Sequence, residues 1–117
     1  MATIAQDIIA PSPRAYTVAS AGATLTIDAD SYDGIELTGQ GANLTIAAPI
    51  GTPVKQQRLL IRIKDDGTAR TITWNAIFAA IGVTLPATTV VGKITYVLAL
   101  WNSTTSKWDV LAAAVQA

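Results

Sequence analysis

The densest group of side chains able to do chemistry in this 117-residue chain is an acidic cluster, Asp28-Ala29-Asp30-Ser31-Tyr32-Asp33-Gly34. Three carboxylates so close together would suit a calcium ion, which prefers oxygen ligands. A calcium loop of the EF-hand type needs an acid or amide at its fifth position, glycine at its sixth and glutamate at its twelfth, where this chain has Tyr32, Asp33 and Gly39. The pattern therefore favours an ordinary aspartate-rich turn, and we expect no metal site here.

A second acidic pair, Asp65-Asp66, falls in what the sequence predicts to be the turn of a hairpin, and this position accounts for both carboxylates. The chain has no histidine and no cysteine, which removes the most common general base and metal ligand as well as thiol nucleophiles. It also lacks the Ser-x-x-Lys and Gly-x-Ser-x-Gly arrangements of serine enzymes. We therefore expect a protein that is not an enzyme and that uses no cofactor.

Three tryptophans are the other candidates for a binding role, since aromatic side chains stack on sugar rings and anchor protein interfaces. Trp74 and Trp108 are in phase with the apolar residues of their predicted strands and are expected in the core. Trp101 falls on the opposite strand face from Tyr96 and Leu98, next to a turn. It is the candidate contact residue, with core packing as the open alternative.

The composition favours association with other proteins. Hydrophobic residues make up 50% of the chain and charged residues only 14%, against about 25% in an ordinary globular protein. With so few charges, part of the apolar surface is expected to face a partner, as in an oligomer or in a protein docked on a larger assembly. The 8 basic and 8 acidic residues cancel and are scattered, which argues against direct binding of nucleic acid or of an anionic membrane.

The amino-terminal residues lack the basic start and the unbroken apolar stretch of a signal peptide. No segment approaches the roughly 18–20 apolar residues needed to cross a bilayer. We therefore expect a soluble protein that is not exported by its own signal and that is assembled in the cytoplasm.

From Ala15 onward the sequence predicts short strands separated by turns, because Thr, Ile and Val dominate and apolar residues alternate with polar ones. Residues 23–27 nearly repeat as residues 42–46, in the sequences ATLTI and ANLTI. Such a near copy could mark two coils of a β-solenoid. Because the rest of the chain does not continue the period, two similar strands of a sandwich are expected instead.

The first of two predicted hairpins joins residues 58–64 to residues 70–74. Alternation places Leu59, Ile61 and Ile63 on one face of its first strand, and an Asp-Asp-Gly-Thr turn leads into the second strand.

The second predicted hairpin joins residues 93–101, which are apolar on both faces, to residues 107–114. A strand that is apolar on both faces is central in a sandwich or faces a partner. Between the two hairpins, residues 75–82 could form one helical turn. Overall the pattern predicts one all-β domain over residues 15–117, an antiparallel β-sandwich with the jelly roll as one of its forms.

Residues 1–14 are expected to form an extended N-terminal arm outside this domain. Ile4, Ile8 and Ile9 could share one face of a helical turn, but the prolines that begin at Pro11 end any helix there. The arm could lie along a neighbouring protein, with Ile4, Ile8, Ile9 and Pro11 as its contacts. Alternatively, it could be a loose terminus.

Two segments carry a resemblance to known proteins. The first is Arg58-Leu59-Leu60-Ile61-Arg62-Ile63-Lys64-Asp65-Asp66-Gly67 followed by Arg70-Thr71-Ile72-Thr73-Trp74-Asn75, and the second is Val97 to Trp101 followed by Lys107-Trp108-Asp109-Val110-Leu111. From Gln57 to Ala113 the chain resembles a module common in virion proteins of tailed bacteriophages. These include capsid decoration proteins and the distal parts of head and tail fibres.

The resemblance implies a homotrimeric β-sandwich protein of the virion with no enzymatic activity. Fibres usually carry the module at one end of a long repetitive shaft, and the chain shows no such shaft. The resemblance therefore favours a capsid decoration (cement) protein on the capsid exterior, which would bridge neighbouring copies of the major capsid protein. The alternative is a receptor- or glycan-binding module of a head or tail fibre, with Trp101 as its contact residue.

Overall fold

The computed structural model describes residues 14–117, which form nine β-strands. In chain order the strands are β1 (Ala15–Val18), β2 (Thr24–Leu25), β3 (Gly34–Gln40), β4 (Leu44–Ile46), β5 (Arg58–Asp65), β6 (Ile72–Trp74), β7 (Phe78–Ala80), β8 (Ile94–Asn102) and β9 (Lys107–Val115). No helix occurs in this part of the chain, and hence none that is long and apolar enough to span a membrane. The prediction of an all-β fold is confirmed.

The first six strands alternate between two sheets. Strands β1, β3 and β5 stack in parallel in the larger sheet, and β2, β4 and β6 stack in parallel in the smaller one. Each pair of consecutive strands thus forms one coil that lies on the coil before it, as in a parallel β-helix. The last three strands complete the larger sheet, whose order is β1-β3-β5-β8-β9-β7.

The core is a single hydrophobic cluster to which both sheets contribute. Its fully buried members on the larger sheet include Ile35, Leu59 and Ile61, and those on the smaller sheet include Leu44 and Ile46. Burying one such side chain contributes roughly 1.5–3 kcal/mol. The shared cluster therefore holds the two sheets together.

The hairpin predicted at the end of the chain is confirmed. β8 and β9 pair antiparallel, with Trp101 opposite Trp108 and Asn102 opposite Lys107. The Asn102 side chain accepts a hydrogen bond from the backbone N–H of Thr104 at 2.9 Å, which stabilises the turn. The register shifts between Leu98 and Ala99, where β9 carries an extra residue.

The predicted antiparallel arrangement is wrong for most strand pairs. Among the strands of residues 14–117, only β5–β8 and β8–β9 pair antiparallel. Alternation of polar and apolar residues specifies which face of a strand is buried, and it looks the same for either direction of pairing.

The predicted hairpin between residues 58–64 and 70–74 is also wrong. The alternate apolar residues of β5 are buried as expected, but β5 belongs to the larger sheet and β6 to the smaller. Both edges of β5 are occupied, by β3 and by β8, so no position beside it is left for β6. The turn carries the chain across the core, with Gly67 at a φ of 105° that favours glycine.

Two smaller expectations fail for similar reasons. The near copies at residues 23–27 and 42–46 are neighbours on successive coils, with Leu25 paired in parallel with Ile46. The sequence shows no regular repeat because the connections between coils differ in length. The helical turn predicted for residues 75–82 is replaced by a tight turn and strand β7. The Asn75 side chain accepts a hydrogen bond from Ile77 N at 2.9 Å, which directs the chain into β7 beside β9.

Candidate protein interface

Two carboxylates of the acidic cluster organise the loop that follows β2. Asp28 accepts hydrogen bonds from the backbone N–H of Asp30 and from the hydroxyl of Ser31, both at 3.0 Å. Asp30 accepts one from Thr52 N at 2.8 Å, which ties this loop to the next coil. These are the bonds of an aspartate-rich turn.

The third carboxylate of the cluster, that of Asp33, joins the first three strands of the larger sheet. It forms an ion pair with Arg14 at 2.8 Å and accepts a hydrogen bond from the Gln57 side chain at 3.1 Å. The hydrogen bonds from Arg14 lower the pKa of Asp33 below its ordinary value, although partial burial opposes them. The group is therefore held ionised by the fold itself.

Asp65 and Asp66 serve different purposes at the end of β5. Burial on its own would raise the pKa of Asp65, but hydrogen bonds from Gly92 N, the Thr89 hydroxyl and Gly67 N outweigh it and lower that pKa. Asp66 is exposed and pairs with the guanidinium of a nearby arginine, which lowers its pKa. Within residues 14–117, no group of three or more His, Cys, Asp or Glu side chains is placed to hold a metal ion.

The tryptophans divide between the core and its rim. Trp108 is fully buried, as predicted. Trp74 is only half-buried: its indole N–H donates to Pro86 O at 2.8 Å and its ring packs edge-on against Phe78. Trp101 is also half-buried and lies with its ring centre 5.2 Å from that of Trp108.

A polar groove of about 290 Å³ lies beside Trp101 at the end of the β8–β9 hairpin. Its residues come from the loop before β5 and from the hairpin itself: Lys55, Gln56, Leu100, Asn102, Thr104 and Asp109. Asn102 donates a hydrogen bond to the Asp109 carboxylate at 3.0 Å, so one wall of the groove is fixed. An aromatic ring beside amide and carboxylate groups is a combination that can contact a sugar.

The larger sheet has an outer face, which points away from the core. On β8 the inward residues Thr95, Val97 and Ala99 are fully buried, and the residues that alternate with them are half-buried. None of these alternating residues belongs to the core cluster or packs against it. We define the outer face by its apolar members: Leu60, Ile94, Tyr96, Leu98, Leu100 and Ala112.

An apolar strip crosses this outer face from strand to strand. Leu60 pairs with Leu98, which pairs with Ala112 on β9, and on the other side Leu60 pairs with Gly34. Leu60 is 40% exposed, which is high for a leucine inside a central strand. The strip is thus contiguous over four strands. Among the described residues no other element covers it, so a partner could bind there.

A charged row runs beside the apolar strip. Glu36, Arg62 and Tyr96 are successive partners across three strands. Arg62 forms an ion pair with Glu36, and its guanidinium carbon lies 5.4 Å from the centre of the Tyr96 ring. Two shallow depressions of about 210 and 160 Å³ border this ion pair. An apolar strip next to oriented charges can specify both the position and the direction of a docked protein.

Of the residues predicted as contacts, Trp101 is the one that lies among the described residues, and it is not on this surface. Ile4, Ile8, Ile9 and Pro11 lie outside the described residues. Trp101 lies in the inward register of β8, at the rim of the core rather than on the outer face. Leu60 was missed, although it is the one apolar residue among the polar positions of β5, and that interruption was visible in the sequence.

No protein-family model matches the chain, and searches among curated proteins and among solved structures found no match.

Proposed function

We propose that the chain is a structural, non-enzymatic protein of a phage virion that decorates the capsid exterior and bridges neighbouring subunits of the major capsid protein. The observation that carries this proposal is the apolar strip of the outer face, flanked by its charged row. The resemblance over residues 57–113 to virion proteins of tailed phages suggests the major capsid protein as the partner. We further propose that the two sheets, although their first six strands belong to successive coils, pack face to face as the two layers of a sandwich, since their buried side chains belong to one cluster.

The mechanism is stabilisation by binding. A protein that binds the assembled shell and not the free subunits lowers the free energy of the assembled state by mass action. Repetition of the same contact at many equivalent sites multiplies a modest affinity. For the outer face to stabilise the shell in this way, it needs only to lie across a junction between capsid subunits.

The experiment compares Leu60→Glu with Val91→Glu on capsids that lack the protein. Leu60 lies on the apolar strip, whereas Val91 is 52% exposed in a loop before β8, so both variants add one carboxylate at an exposed site. We expect Leu60→Glu to lower capsid occupancy at least tenfold, a loss of about 1.4 kcal/mol, and Val91→Glu to leave it unchanged. Equal occupancy by the wild type and Leu60→Glu would rule out the outer face as the contact.

The predicted arm is tested separately by deleting residues 1–13. We expect occupancy to fall if Ile4, Ile8, Ile9 and Pro11 contact a neighbouring subunit. Unchanged occupancy would refute the role of the arm while leaving the outer face untouched.

A second candidate function is glycan or receptor binding by a fibre module, which the groove beside Trp101 favours. Binding of the isolated protein to a glycan array, abolished by Trp101→Ala and retained in Leu60→Glu, would support it. Release of DNA on mild heating of particles that lack the protein would instead support decoration of the capsid.

A further inference from the structure

Strand β9 extends beyond the strand that covers its outer edge. β7 pairs only with the part of β9 from Trp108 to Val110, and Ile81 N makes a final hydrogen bond to Val110 O at 2.9 Å. No other strand of the described residues lies beside residues 111–115 on this side. This second half of β9 is an open edge.

The hydrogen bonds of the β8–β9 ladder determine which groups the open edge presents. Gln116 N donates to Ile94 O at 3.0 Å and Ile94 N donates to the Gln116 side-chain oxygen at 2.8 Å, so these two residues occupy a hydrogen-bonded pair position in which a side chain replaces one backbone acceptor. Such pairs alternate with non-bonded pairs along an antiparallel ladder. It follows that Ala114 bonds to β8, whereas Ala113 and Val115 direct their N–H and C=O groups toward the open edge.

We propose that this open edge pairs with the same edge of a second copy of the chain. In the register that uses the outward groups of Ala113 and Val115, Ala113 of one copy lies opposite Val115 of the other, and each such pair exchanges two hydrogen bonds. The two copies then run antiparallel about a two-fold axis at Ala114, and the larger sheets join into one.

A second copy is the occupant that the edge fits best. Residues 110–117 contain no charged side chain, so no like charges meet across the axis. Alanine at positions 112, 113 and 114 lets a second backbone approach without a steric obstacle. The open edge also lacks proline and lysine, the residues with which proteins block unwanted pairing.

The two-fold axis of an antiparallel strand pair is perpendicular to the sheet, so the outer faces of both copies point to the same side. The apolar strips, which end on β9 at Ala112, then lie next to each other. The resemblance implies a trimer, whereas the proposed edge pairing gives a two-fold pair, and the mass in solution distinguishes the two. If the capsid proposal holds, the pair presents two contact surfaces in one plane, which raises its affinity by avidity.

The experiment uses the full chain, which has no native cysteine, in the variants Ala114→Cys and Thr17→Cys. Ala114 would lie opposite itself in a non-bonded pair, with Cα atoms about 4.5 Å apart, within the range that a disulfide spans. Thr17 is also exposed but lies on β1, at the opposite edge of the sheet. We expect rapid oxidation of Ala114→Cys to a covalent dimer, at least tenfold faster than that of Thr17→Cys.

The mass in solution gives a second, independent readout. The wild type should approach twice 12.2 kDa at high concentration. Ala113→Pro should remain monomeric at high concentration, and at a dilution where the wild type is also monomeric the two should have the same thermal unfolding curve, because the N–H that proline removes points away from β8. A monomer at every concentration, a trimer, a dimeric Ala113→Pro or equal oxidation rates for the two cysteines would each overturn the proposal. Neither readout involves capsids, so failure here leaves the capsid proposal to its own test.

Discussion

The connection between the first two coils depends on one buried amide, and its removal should be costly. Gln40 is fully buried at the end of β3. Its side-chain nitrogen donates to Gly22 O at 2.6 Å and to Ala42 O at 3.0 Å, and its oxygen accepts from Ala21 N at 3.0 Å and from the Ser20 hydroxyl at 3.3 Å. One side chain thereby bonds to polar groups of both the turn after β1 and the turn after β3.

The substitution Gln40→Met keeps nearly the same volume and removes all of these hydrogen bonds. It leaves three backbone groups without their partner, those of Ala21, Gly22 and Ala42. Each such group costs about 1–3 kcal/mol when it is buried. Because these turns are close to the surface and water can reach part of them, we use the lower end and expect a loss of about 3 kcal/mol in the free energy of unfolding.

Urea unfolding followed by tryptophan fluorescence measures this loss, with Thr38→Ala on the exposed side of the same strand as the control. The control should stay within about 0.5 kcal/mol of the wild type. The m-value should not change, because the surface exposed on unfolding is the same. A loss in Gln40→Met that is no larger than that of the control would refute the view that this amide holds the two turns together.

Two further predictions concern single positions and pH. Gly51→Ala should destabilise by more than about 2 kcal/mol, since φ is 91° and a Cβ would lie 2.7 Å from the Asp30 carboxyl carbon. Gly22→Ala, at a φ of 72° but in open space, should cost only about 1 kcal/mol, and urea unfolding of both variants checks the order. Asp33 and Asp65 have pKa values below their ordinary 3.8, so near that pH the unfolded chain binds more protons than the folded one. The free energy of unfolding should therefore fall as the pH is lowered from about 5 through and below that value, and a flat profile from unfolding at successive pH values would contradict the assignment.

The sequence specifies strand faces well and strand partners poorly. Alternation alone places Leu59, Ile61 and Ile63 on one strand face, and all three are fully buried. The same alternation cannot distinguish a hairpin, in which two strands share a sheet, from a connection that crosses the core, in which they face each other. The β8–β9 hairpin was predicted correctly because a short turn joins two long strands whose apolar patterns match, and such strands pair locally.

The candidate interface was predictable in part. The apolar pattern on both faces of residues 93–101 indicated a strand that is either central or exposed to a partner, and β8 is central with a half-buried second face. The apolar strip required knowledge that Leu60 and Leu98 are neighbours, which depends on the register of strands distant in sequence. The hydrogen bonds of the buried Gln40 side chain could not be predicted from the sequence for the same reason, since they depend on how two turns are placed in space.

The alternation of strands between two sheets makes the resistance to a mechanical force unequal across the molecule. β1 lies at an edge, and among the described strands it pairs only with β3. A pull on the chain ahead of Arg14 would first strain the Arg14–Asp33 ion pair and the hydrogen bonds of β1, while the central strands carry little of the force. β5, β8 and β9 hold the apolar strip and are joined by long antiparallel ladders. The outer face would thus survive the peeling of the first strand, because most of its apolar strip lies on strands that this peeling leaves paired.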